Sequence, residues 1–75
     1  MVTVRRFGKV RLRVMSGDHI PPHAHIDTPE GELSLDLGTG ESLGSRSAKR
    51  SGKQALEWAK ANLEDLRSVW EELNK

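Results

Sequence analysis

Apolar residues alternate with polar ones through the first half of the chain and recur at helical spacing through the last third. Val10, Leu12 and Val14 are separated by Arg11 and Arg13, the period-two signature of a half-buried strand. The same period returns in Ala24 and Ile26, set against His23, His25 and Asp27. It returns again in Leu33, Leu35 and Leu37, set against Ser34 and Asp36. A first strand is expected from Thr3 to Phe7, joined to the second by a two-residue hairpin at Gly8-Lys9 with glycine first. Ser16-Gly17-Asp18 closes that hairpin arm. Thr28-Pro29-Glu30-Gly31 carries proline second and glycine fourth, the order a tight turn favours. Gly38-Thr39-Gly40 turns the chain once more, and Glu41-Ser42-Leu43 adds a short edge strand. Everything to this point reads as an antiparallel meander with short connections.

Beyond Gly44 the period changes. Ala48, Gly52, Ala55, Leu56, Ala59, Leu63, Leu66, Trp70 and Leu73 form one helical stripe, widened by Trp58 and Val69. Ser45 and Ser47 are both candidates for its N-cap. A single helix from 47 to 74 would be about 42 Å long, whereas a compact chain of this size has a radius of gyration of about 11 Å. Asn62, followed by Glu64 and Asp65, reads as a second N-cap with acids in the first turn. Two helices breaking near Asn62 are therefore expected. The fold class is α+β in two layers: an antiparallel meander of three to five strands packed on one or two C-terminal helices. The 75 residues make one domain, with the sheet in 1–44 and the helical segment in 45–75.

Size restricts the kind of site. A chain this short buries only about 60% of the surface it exposes when unfolded, so a shallow groove or open sheet face is expected, and an engulfed cofactor is not. There is no cysteine, which excludes disulfides and thiolate metal sites. No apolar run approaches the length of a membrane span, and arginines interrupt every N-terminal hydrophobic stretch where a signal peptide would lie. The expectation is a complete cytoplasmic protein with no membrane contact.

Net charge is only +1, but its distribution is uneven. Residues 1–17 carry five cations and no acid; residues 18–45 carry six acids and no Lys or Arg. Basic and acidic strands must then lie side by side, which argues against a uniformly basic coat.

All three histidines fall in Asp18-His19-Ile20-Pro21-Pro22-His23-Ala24-His25. The two prolines make this a stiff extended connector. His23 and His25 are two apart on a strand, so their rings share a face. Arg11, Arg13, Asp27, Ser34 and Asp36 project from that same face if the apolar sets share one core, and His19 folds back across the proline corner. Three readings follow. His19, His23 and His25, with Asp18, form a nitrogen-rich set of the kind zinc favours. Alternatively, imidazoles that titrate near neutrality act as acid–base or phosphate-contacting groups, with Arg11 and Arg13 stabilising negative charge. The third reading is structural: imidazoles paired with Asp27, Asp36 or backbone carbonyls at a strand start. The acid–base reading predicts that His25→Ala keeps the fold but abolishes the effect.

Arg46, Lys49, Arg50 and Lys53 share one helical face. Cations in the first turns oppose the macrodipole, so an anionic partner accounts for them better than fold stability does. Trp58 and Trp70 are read as core anchors. No phosphate-binding glycine loop, nucleophile elbow, Ser–His–Asp pattern or zinc-finger spacing occurs.

The chain resembles the small bacterial family called domain of unknown function 4160. The likeness is carried by Arg6-Phe7-Gly8, by Asp18-His19-x-Pro21-Pro22-His23-x-His25 and by an acidic strand ending at Asp36. It continues through Lys49-Arg50, Glu57-Trp58, Leu66 and Trp70-Glu71. The second strand is more basic than in many relatives, and the chain stops soon after Trp70. The resemblance implies a place in mobile operons of the toxin–antitoxin kind, with a protein encoded nearby and RNA or DNA as partners. It assigns no catalytic residues. The leading expectation is thus a toxin–antitoxin-like component, of either role, that binds or cleaves nucleic acid. His23, His25 and His19 would be its acid–base groups and Arg11, Arg13, Arg46, Lys49, Arg50 and Lys53 its anion contacts, with no cofactor. The alternatives are a non-enzymatic module that docks a cognate protein and a small zinc-binding domain.

Overall fold

The computed structural model describes residues 2–15 and 21–75; Asp18, His19 and the expected turn at 16–18 lie outside the described residues. Five strands come first: β1 (Val2–Phe7), β2 (Val10–Val14), β3 (His23–Thr28), β4 (Gly31–Asp36) and β5 (Ser42–Leu43). They form one antiparallel sheet in the order β1-β2-β3-β4-β5, the meander the short connections require. The helices α1 (Arg46–Ser51), α2 (Lys53–Ala61) and α3 (Leu63–Leu73) follow and cover one face. α1 lies against β4, α2 against β1 and β2, and α3 against β2 and β3. The domain is α+β in two layers, with a radius of gyration of 11.1 Å.

Alternation decides the layers. Val10, Leu12, Val14, Ala24, Ile26, Leu33 and Leu35 face the helices and are buried, meeting Ala48, Ala55, Leu56, Ala59 and Leu66. Trp58, Leu63, Val69, Trp70 and Leu73 close the rim of this core. Among the described residues no helix is long and apolar enough to cross a membrane.

Two local features depart from the sequence reading. β1 carries a bulge at Val4: Thr3 pairs with Arg13, but Arg5 pairs with Leu12. The extra residue turns Arg5 to the helix side of the sheet. There its guanidinium lies 5.4 Å from the Phe7 ring and 5.3 Å from the Trp58 ring, a cation–π roof over the core edge.

The helical segment is also in three pieces, because it breaks at Gly52 as well as at Asn62. Gly52 is buried where the segment crosses the sheet, and a β-carbon there would lie 3.1 Å from both Leu33 Cδ1 and Thr28 Cγ2. Ser45 is the N-cap of α1, its Oγ accepting from Ala48 N at 3.1 Å. Asn62 does not act as a side-chain N-cap. Its Nδ2 donates backward to Trp58 O at 2.7 Å and so satisfies the end of α2.

Candidate functional site

The face of the sheet away from the helices carries the polar set. Register places Arg13 opposite His25, His25 opposite Ser34, and His23 opposite Asp36. Arg11 stands opposite Asp27, and Asp27 opposite Glu32. Residues directly opposite one another share a face, so Arg11, Arg13, His23, His25, Asp27, Ser34 and Asp36 are brought together as the alternation implied. Glu32 joins them. The sequence reading began β4 at Leu33 and missed it, although Glu32 has the same parity as Ser34 and Asp36.

Charges in the centre of this face are paired with one another. Arg13 Nε donates to Asp27 Oδ2 at 2.7 Å and its Nη2 to Asp27 Oδ1 at 3.1 Å. Arg11 reaches the same carboxylate through Nε at 3.2 Å and Nη2 at 3.0 Å. Arg13 Nη2 also donates to Glu32 Oε2 at 3.0 Å. The Arg13 hydrogen bond, opposed by burial and reinforced by Arg11, holds the Asp27 carboxyl below its ordinary value. Arg11 and Arg13, two of the expected anion contacts, thus face carboxylates of their own chain.

The two histidines are held by acceptors. His25 Nδ1 lies 2.7 Å from Glu32 Oε1, and His23 Nδ1 lies 3.0 Å from the Pro21 carbonyl oxygen. Neither partner oxygen can donate, so Nδ1 carries the proton in both rings. The rings meet edge to face with centroids 4.9 Å apart. Carbonyl pairing was among the structural options; among the described residues the carboxylate beside His25 is Glu32, where Asp27 and Asp36 were expected. Asp36 organises its own turn, its Oδ1 accepting from Gly38 N at 2.7 Å and Thr39 N at 3.1 Å. No group of three or more His, Cys, Asp or Glu placed to hold a metal occurs among the described residues.

The second predicted cluster lies in the other layer. Arg46, Lys49 and Arg50 on α1 and Lys53 at the start of α2 are all exposed. Among the described residues none of them pairs with an acid. Arg50 borders a shallow hollow with Glu30, Ser47 and Ser51. The sheet therefore stands between these cations and the histidines, as expected if the histidines share the face opposite the helices.

On the outer sheet face, at the β3–β4–β5 corner, lies a groove of about 280 Å³ lined by Pro21, His23, Ser34, Asp36, Glu41 and Leu43. Leu43 is opposite Ser34 and so projects to this face, 74% exposed. The sequence pattern marked it only as part of an edge strand.

Residues 10–71 match the family described as Domain of unknown function (DUF4160). Neither a curated protein nor a solved structure matches the chain.

Proposed function

The chain belongs to the DUF4160 family, and on that premise we propose that it is a toxin–antitoxin-like component that binds nucleic acid through the basic face of α1 and the start of α2. One observation carries this reading: Arg46, Lys49, Arg50 and Lys53 are exposed and without an acidic partner among the described residues, whereas Arg11 and Arg13 are neutralised by Asp27 and Glu32. Phosphate contacts by such cations give affinity without sequence preference. The operon context is carried over from the family resemblance in the sequence and is part of the proposal. Cleavage by His23 and His25 is disfavoured, because Arg11 and Arg13 on their face are paired with Asp27 and Glu32 and the exposed helix cations stand on the far side of the sheet.

The test is fluorescence anisotropy with a single-stranded RNA in chelator, over a range of salt. Four phosphate contacts give a slope of log affinity on log salt of about −3. Replacing Arg46, Lys49, Arg50 and Lys53 together by Gln should abolish binding, while His23→Ala with His25→Ala should leave it. Undiminished binding by the fourfold variant overturns the reading.

A further inference from the structure

We propose that the groove at the β3–β4–β5 corner docks a segment of a partner protein that presents an apolar side chain beside a lysine or arginine. The observations concern a different face from the basic helices and stand independently of them. Leu33, Leu35 and Leu37 are fully buried, yet Leu43, one strand away, is 74% exposed. It projects beside Ser34 into the groove whose other walls are Pro21 and His23. A volume of about 280 Å³ suits one large side chain; enclosed sites for drug-sized ligands begin at about 300 Å³.

Charge selects the neighbour of that side chain. At the centre of the outer face Asp27 and Glu32 are matched by Arg11 and Arg13. At the corner Asp36 and Glu41 line the groove, and among the described residues no lysine or arginine pairs with either. One oxygen of Asp36, Oδ1, is engaged by the Gly38 and Thr39 amides, and the residue lines the groove. An apolar wall with uncompensated acids beside it complements an apolar side chain adjacent to a cation. The same acids repel a phosphate backbone, which sets this corner apart from the helix face.

Two capped six-residue peptides test the proposal. One has a central phenylalanine–lysine pair flanked by glycine and serine; its twin has glutamate in place of lysine. Amide NMR shifts are followed to about 5 mM peptide, the range in which a single side-chain pocket saturates. The lysine peptide should shift the amides of His23, Ser34, Asp36 and Leu43, and its twin should not. Leu43→Ser should weaken the binding about tenfold with amide dispersion unchanged, since Leu43 is exposed. Glu41→Gln should weaken it about threefold, keeping the apolar wall intact. Equal shifts from both peptides, no shift at the highest concentration, or the same four amides shifted by an RNA oligonucleotide would each overturn it.

Discussion

Arg13 grips Asp27 with a two-pronged fork, Nε to Oδ2 at 2.7 Å and Nη2 to Oδ1 at 3.1 Å, across the β2–β3 ladder. Asp27→Asn removes the charge that Arg11 and Arg13 share and leaves two guanidiniums adjacent. With the Arg13 side chain only 13% exposed, the expected loss is about 1–2 kcal/mol, discounted for the partial exposure of Asp27. Urea unfolding at neutral pH measures it.

The same pair makes stability depend on pH. The Asp27 carboxyl sits below its ordinary value in the folded chain because it accepts from Arg13 and Arg11. Its contribution is therefore complete above the unfolded carboxylate value, about 3.9, and is lost as pH falls through the lower folded value. Unfolding free energy followed from pH 6 down to pH 2 should fall in that acid window, and the Asp27→Asn variant should show a shallower fall.

His25→Ala separates a structural ring from a reactive one. The acid–base reading of the sequence predicts loss of function with an intact fold, and the structural reading predicts a loss of stability; the contact between His25 Nδ1 and Glu32 Oε1 gives the ring a structural task. The variant should lose about 1 kcal/mol of stability and bind single-stranded RNA within about twofold of the native chain, as the salt-dependent helix-face contacts remain. A native-like unfolding curve together with abolished RNA affinity would restore the reactive reading.

Two serines compete in the sequence for the start of α1, and only Ser45 makes the capping bond. Ser45→Ala should cost about 1 kcal/mol, while the exposed Ser47→Ala should change stability by less than about 0.5 kcal/mol. Thermal melts distinguish the two, because 1 kcal/mol moves the midpoint of a domain this size by about 4–8 °C.

Gly44 links β5 to α1 at φ 153°, and a β-carbon there would overlap the Leu33 Cδ2 methyl and press on the Glu32 carbonyl. Gly44→Ala should destabilise by about 1–3 kcal/mol, from backbone strain and displaced core packing together. The melting temperature should fall accordingly, with amide shifts centred on Leu33.

Period-two alternation made the sheet legible, since a strand with one buried face leaves little freedom of register. Leu12, Ile26 and Leu35 declare their face by their neighbours, and Arg11, Arg13, His23 and His25 follow by parity. The break at Gly52 was not legible in the same way. Gly52 fits the helical stripe, and the close approach of Leu33 and Thr28 that favours glycine at the break is visible only in the fold. Charge segregation implied that basic and acidic strands lie side by side, but the partner of each cation was hidden: Arg11, Arg13, Arg46 and Lys49 look alike along the chain. The register that sets Asp27 beside Arg11 and within reach of Arg13 is a property of the fold.

The bulge at Val4 has an effect beyond the placement of Arg5. It breaks the even ladder of the outermost strand midway, and Arg6 just past it keeps a charge on that strand. At the opposite margin the sheet ends in only two residues, Ser42–Leu43. Neither margin offers the long flat ribbon on which another chain can add in register. Concentrated protein should therefore resist cross-β accretion even while its surfaces stay open to other partners.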